Sequence, residues 1–162
     1  AWAGFSAVMA PFRRPTPEMA PTDAKAACLY PNGARASAFA ATQGADNAVM
    51  CDAIGHVAEF ASANLWFAKD GKVITPAVNH TFLNGITRQR VIGLFKDAGV
   101  AVEERTVKPA DLETADEIFS TGNYAKVQPC TRYNGRDMQI GRFATQAREI
   151  YWRWMEAAPK VI

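Results

Sequence analysis

The sequence predicts a mixed α/β domain, and three observations carry that expectation. Short apolar runs bounded by turn residues recur along the chain and read as strands. Two longer stretches repeat their apolar residues at helical spacing: Val91, Leu94, Phe95 and Ala98 in the first, Phe143, Ala147, Ile150, Tyr151, Trp154 and Met155 in the second. Apolar residues make up 49% of the 162, enough for one globular core and too many for a disordered chain.

Taken in order, residues 2–10 alternate imperfectly and predict a strand. Pro11, Pro15, Pro17 and Pro21, with Arg13-Arg14 among them, predict an extended surface loop over 11–21. Pro31 suits the first turn of an Ala-rich helix, which Gly44 ends. Residues 48–51, 57–59 and 64–68 predict three strands. Asp70-Gly71 predicts a hairpin turn that returns the chain through strand 73–75. A loop over 76–82 leads to a helix opened by residues 83–88 and stopped by Gly99. A strand over 100–107, a helical turn over 109–113, and strands over 117–121 and 125–129 follow. Asn134-Gly135 is a turn, and an amphipathic helix closes the chain.

Charge narrows the function classes. With 18 basic and 16 acidic residues, nothing invites nucleic acid or an anionic membrane. No apolar run approaches the ~18 residues a membrane span needs, and no secretory signal is visible. Cys28, Cys51 and Cys130 are too few and too scattered for a disulfide framework or a zinc site, and no other metal site is expected; they read as buried thiols in a reducing compartment.

Four features carry chemistry. Lys25 is the only lysine before Lys69 and lies just ahead of the Ala-rich helix, away from any obviously solvated face. A lysine that loses solvation becomes a nucleophilic amine, able to condense with an aldehyde. Glu59 interrupts an apolar strand, so it needs a partner: a structural ion pair, or a cationic ring nitrogen. Gly85-Ile86-Thr87 opens a helix, where free N–H groups and the dipole suit a phosphate, though ordinary capping explains the pattern equally. Gly122-Asn123-Tyr124-Ala125 follows a strand and is either a plain turn or a second nest for an anion.

The order of these motifs is itself distinctive. Pro21-Thr22-Asp23-Ala24-Lys25-Ala26 is followed by Tyr30, Gly55-His56-Val57-Ala58-Glu59 and Asn64-Leu65-Trp66-Phe67. Next come Thr75-Pro76, Leu83-Asn84-Gly85-Ile86-Thr87-Arg88, and Ala115-Asp116-Glu117-Ile118-Phe119 through Gly122 to Pro129. Over residues 10–145 this closely resembles the class IV (fold type IV) aminotransferases, which use pyridoxal 5'-phosphate, and among them the branched-chain amino acid aminotransferases. The resemblance implies a large domain with a partly barrelled mixed sheet and flanking helices. It implies that Lys25 is the Schiff-base lysine and proton carrier, that Tyr30 meets the cofactor's phenolic oxygen, and that Glu59 keeps the pyridine nitrogen protonated. Leu83 would pack on the ring, Ile86, Thr87 and Asn123 would hold the phosphate, and Tyr124 and Ala125 would receive the substrate carboxylate through their backbone.

Two departures touch the site. Phe60-Ala61-Ser62-Ala63 precedes Asn64 where branched-chain members usually have Gly-x-Gly-Glu, and Asn123 stands where Thr is usual. Both bear on substrate preference more than on cofactor use. Family chains are roughly twice as long, so the resemblance makes residues 1–162 the C-terminal, cofactor-binding large domain, with residues 1–20 beginning mid-domain or in the interdomain region. The expected partner is then the N-terminal small domain, which carries a phosphate-binding arginine. The implied reaction is amino transfer between a branched-chain or other hydrophobic L-amino acid and 2-oxoglutarate, in a cytoplasmic homodimer or higher homo-oligomer. A scarcity of spare basic residues near the motifs fits apolar substrates. The alternatives are D-amino acid or (R)-amine transamination, aminodeoxychorismate lyase chemistry, or a fragment that binds cofactor without turnover.

Overall fold

Strand alternation determines the layers of this molecule. The computed structural model describes residues 2–158, so residues 1 and 159–162 of the expected domain lie outside the description. The strands are β1 (Phe5–Arg13), β2 (Asn47–Cys51), β3 (Val57–Phe60), β4 (Asn64–Lys69), β5 (Lys72–Pro76), β6 (Val102–Arg105), β7 (Glu117–Gly122), β8 (Lys126–Tyr133) and β9 (Arg136–Asp137). The helices are α1 (Tyr30–Thr42), preceded by a 3-10 turn over Ala27–Leu29, then α2 (Ile86–Asp97), α3 (Pro109–Glu113) and α4 (Arg142–Ala157). One mixed sheet runs in the order β3-β2-β1-β8-β7-β4-β5-β6, with β9 added to β8.

Connectivity forces this sheet to curl. β3 is an edge strand and β4 lies well inside the order, yet only Ala61-Ser62-Ala63 joins them, with Phe60 N–H donating to the Ala63 carbonyl at 2.9 Å. The far edge meets β3 as well: Val57 N–H donates to the carbonyl of Val107, just beyond β6, at 2.8 Å. The partly barrelled sheet implied by the resemblance is therefore present. Phe5, Val49, Val57, Phe60, Leu65, Phe67, Ile74 and Ile118 fill its interior. Their neighbours along the strands face outward. Ala48 and Met50 pack beneath Ala36 and Ala40 of α1, whose small side chains let the helix lie close to the sheet. Trp66 and Phe119 lie beneath Val91 and Phe95 of α2 and Phe143 and Ala147 of α4. Trp66 stacks on Phe119 with centroids 5.6 Å apart, and its indole N–H donates to Thr121 Oγ1 at 2.9 Å.

Several boundaries differ from the sequence expectation. The first strand runs on to Arg13 instead of yielding to a loop at Pro11. It pairs in parallel with β2 as far as Arg13 opposite Cys51, and the register shifts between Met9 and Arg13, so Pro11 falls in an irregular stretch where its missing donor is tolerated. α2 begins only at Ile86, leaving Leu83–Gly85 as its lead-in. Cys51 and Cys130 are buried as expected, but Cys28 is exposed because the turn carrying it buries none of its residues.

The start of α4 is held from below. Glu117 is buried on β7, and its carboxylate accepts from the N–H groups of Phe143 at 3.1 Å and Ala144 at 3.0 Å. A carboxylate there meets both the unpaired N–H groups and the positive end of the helix dipole. Gly141, the residue before the helix, is small by necessity, because a Cβ there would collide with the same carboxylate. Glu117→Ala should destabilise the chain by about 3 kcal/mol, the scale of losing charged hydrogen bonds and stranding buried donors. Glu117→Gln should recover part of that loss, as read by chemical denaturation.

Candidate active site

Glu59 is the centre of the site. It pairs with Met50 across the β2–β3 ladder, so it faces out of the barrel on the side of α1. It is 7% exposed. Its partner is Arg14, also 7% exposed, whose Nη1 lies 2.8 Å from Glu59 Oε1. Arg13-Arg14 was expected in a surface loop. Instead, the extension of β1 carries Arg14 inward, and its N–H donates to the Cys51 carbonyl at 2.8 Å. Burial pushes the Glu59 carboxyl up to about 7, with the Arg14 charge working against the rise. A second cation beside this carboxylate would favour its charged form further.

From Glu59, hydrogen bonds lead to the other motifs. Buried Asn64, at the start of β4, donates from Nδ2 to Glu59 Oε2 at 3.3 Å and to the Leu83 carbonyl at 2.7 Å. A side chain at Gly85 would run into Asn64 Oδ1, so the chain passes over Asn64 as it enters α2. No side chain caps α2 and no acidic residue lies in its first turn, which leaves its leading N–H groups available to an anion. Thr87 is buried in that turn, whereas Ile86 is 85% exposed and offers its backbone. Arg88, 1% exposed, braces the lead-in: it donates to Asn84 Oδ1 at 2.9 Å and to the Pro76 carbonyl at 3.0 Å, and it pairs with Glu104.

On the other side, Arg14 Nε donates to the Thr81 carbonyl, and the buried Thr22 hydroxyl donates to the adjacent His80 carbonyl. Thr22 belongs to the Lys25 segment, which is thereby tied to the loop that holds Arg14. Lys25 itself is exposed, contrary to the expected loss of solvation: the residues around it are turn and loop, and none of them covers it. Tyr30 is 57% exposed at the start of α1. Two residues on, Asn32 Nδ2 donates to the Arg13 carbonyl, which fixes the first turn of α1 beside Arg14.

The last motif sits at the hairpin tip between β7 and β8. Asn64 pairs with Thr121, and a Cβ on Gly122 would lie 3.5 Å from that of Ala63, so this turn borders the Glu59–Asn64 segment. Tyr124 is fully exposed at the tip, with Ala125 next to it partly covered. Lys126 Nζ donates to Asn123 Oδ1 at 3.0 Å, which engages the amide oxygen and leaves the NH₂ to donate elsewhere. The supposed scarcity of basic residues near the motifs is thus corrected by Lys126 and Arg14. Sequence reasoning missed Arg14, Asn64 and Lys126 as site residues. The need of a buried carboxylate for a cation was the one signal that pointed to Arg14.

Comparisons with known proteins identify the family. The family model described as amino-transferase class IV matches residues 1–133. A probable branched-chain-amino-acid aminotransferase of Aquifex aeolicus is 38% identical over 153 residues, covering 92% of this chain and 49% of that protein. The branched-chain-amino-acid aminotransferase of Escherichia coli K12 is 31% identical over 91% of this chain and 48% of its own length. Among solved structures, an aminotransferase from Brucella abortus bound to the cofactor PLP superposes with a TM-score of 0.95 at 48% identity, over 97% of this chain and 56% of that one. The branched-chain aminotransferase of Thermoproteus uzoniensis with norvaline gives 0.90 at 33% identity, over 94% of this chain and 51% of that one. The chain spans about half the length of the curated relatives it matches. With the family model over residues 1–133 and relatives matching nine-tenths of the sequence, this chain belongs to the class IV aminotransferases.

Proposed function

We propose that this chain is the cofactor-binding large domain of a pyridoxal-phosphate-dependent aminotransferase that moves an amino group between a branched-chain or similar hydrophobic L-amino acid and 2-oxoglutarate. One observation carries the reading: a buried carboxylate, Glu59, is tied through Asn64 to the uncapped start of a helix. This is a site for a cationic ring at one end and a phosphate at the other. The names of the relatives, with their half-length overlap, support both the substrate class and the assignment to one domain.

The residues present fit the cofactor. The open N–H groups at the start of α2, with Thr87, are suited to the phosphate, and the free amide NH₂ of Asn123 adds a donor from the neighbouring turn. Glu59 would face the ring nitrogen, with Arg14 holding its carboxylate in place. Leu83 would pack on the ring and Tyr30 would donate to its phenolic oxygen. When bound, pyridoxal phosphate supplies an aldehyde carbon and an electron-accepting ring. Lys25 would supply the amine that holds the cofactor and would hold or move a proton at its Nζ. The backbone of Tyr124 and Ala125 orients the substrate carboxylate. Since Lys25 and Tyr124 are exposed here, the rest of the protein would supply the wall that excludes water. Among the described residues, no helix is long and apolar enough to cross a membrane. On the resemblance we assign a cytoplasmic homodimer or higher homo-oligomer, for which a sedimentation mass of a single chain would be the contrary result to the assembly.

Reduction of the cofactor-loaded chain with borohydride, followed by peptide mapping, should place the label on Lys25. A label on Lys69 or Lys72 instead would remove the assignment. Lys25→Ala should lose the label and nearly all turnover.

Glu59 also gives a pH prediction for the cofactor-free chain. Its folded carboxyl titrates near 7 against about 4.5 unfolded, so its favourable contribution is complete below about 4.5 and is lost as pH rises through 7. The stability of the parent relative to Glu59→Gln should therefore fall by a few kcal/mol between pH 4.5 and 7.5. Paired denaturation curves that move in parallel across that range would contradict the assignment.

A further inference from the structure

The loop from Ala77 to Phe82 belongs to none of the motifs, yet it touches both the Lys25 segment and the cation that pairs with Glu59. Its Thr81 carbonyl accepts from Arg14 Nε, and its His80 carbonyl accepts from the Thr22 hydroxyl. Adjacent carbonyls of one loop thus hold the cation behind Glu59 and the segment that carries Lys25. The backbone bends just ahead of these carbonyls: His80 adopts φ of 63°, a left-handed conformation that a residue with a Cβ takes only when its surroundings enforce it.

Asn79 is the residue that enforces it. Its Oδ1 accepts from the Thr81 hydroxyl at 2.6 Å and the Thr81 N–H at 3.3 Å, closing a small ring around His80. Its Nδ2 donates to Asp52 Oδ2 at 3.0 Å. Asp52 is 3% exposed, just past the end of β2, and its Oδ1 accepts from the N–H groups of Ile54 at 3.1 Å and His56 at 2.9 Å. The loop is thereby anchored to the turn that leads into β3 and Glu59. The path Asp52–Asn79–Thr81–Arg14–Glu59 leaves the β2–β3 turn and returns to β3, and the His80–Thr22 bond branches from it toward Lys25.

We propose that Asn79 is a positioning residue for the transamination site: through the carbonyls of His80 and Thr81 it sets the Lys25 segment and the Arg14–Glu59 pair in fixed relation to each other. The inference rests on the functional reading above for its chemistry, but the coupling itself exists without cofactor. Asn79 is exposed, so its replacement need not disturb the core.

The test uses the full 162-residue chain, labelled with ¹⁵N, and two readouts. The first is hydrogen exchange at Arg14 Nε–H, followed by NMR without cofactor. The second is the dissociation constant for pyridoxal phosphate. Asn79→Ala should speed exchange at Arg14 Nε–H at least tenfold and weaken cofactor binding about tenfold. Asn79→Asp should do at least as much, because it sets a carboxylate against Asp52. The double exchange Asp52→Asn with Asn79→Asp restores one donor and one acceptor in swapped order, and it should bring both readouts back toward the parent. Rescue by that swap ties both readouts to the hydrogen bond between positions 52 and 79 itself and not to the loss of either side chain. Unchanged exchange at Arg14 in Asn79→Ala, or a double variant no better than Asn79→Asp, would overturn the proposal. If neither the parent nor the longer protein it is proposed to belong to binds pyridoxal phosphate, the functional reading fails and the positioning role for transamination falls with it, whereas altered exchange at Arg14 would still establish the coupling.

Discussion

The ion pair between Arg14 and Glu59 is the constraint on which the site depends. A carboxylate at this depth cannot stay charged unless something opposes its desolvation, and removing either partner of a buried pair strands the other. Arg14 reaches Glu59 only because β1 keeps its ladder with β2 through Arg13 despite Pro11. Two further polar atoms of the pair each engage a different segment: Arg14 Nε the loop at Thr81, Glu59 Oε2 the amide of Asn64. One electrostatic requirement thus recruits the end of β1, the edge strand β3, the start of β4 and a loop between β5 and α2 into a single polar layer outside the barrel.

The curled sheet makes that recruitment possible. Because three residues join β3 to β4, Glu59 and Asn64 are brought together across a tight turn, and the Gly122 turn comes to lie beside Ala63. The apolar interior fixes the strands, and the candidate site occupies the outer, α1-facing side of β3 and the adjoining turns. The small-residue stretch Ala61-Ser62-Ala63, which departs from the usual family pattern, sits at this junction, with Ala63 beside Gly122.

Much of this was legible in the sequence. Turn residues and apolar periodicity placed nearly every strand and helix, and the motif order pointed to the family before any coordinates. What periodicity could not show was Arg14. Prolines and paired arginines normally signal solvated loop, and only the parallel partner β2, thirty-odd residues away, holds that segment extended. The exposure of Lys25 was hidden for a related reason. Sequence tells which residue types surround a lysine along the chain, but coverage is set by which surfaces close over it in space. The site role of Asn64, quoted only as part of a motif, and Asn79 altogether escaped notice because single amides have no periodicity. Their importance lies in bonds spanning 19 and 27 residues.

The position of β1 has a consequence for how the chain is made. It lies in the middle of the sheet, parallel to both neighbours, with β2 on one side and β8 on the other. As synthesis proceeds, β2 is available soon after β1, but β8 is more than a hundred residues later. Until residues near Cys130 leave the ribosome, the side of β1 that will meet Cys130 and Tyr133 is an open edge carrying Phe5 and Ala7. Such an edge invites pairing with any other extended chain, and parallel ladders close slowly because their loops are long. The half-made domain therefore passes through its most aggregation-prone state late, and a cell that shields nascent strands until β8 has docked should recover more of the folded protein.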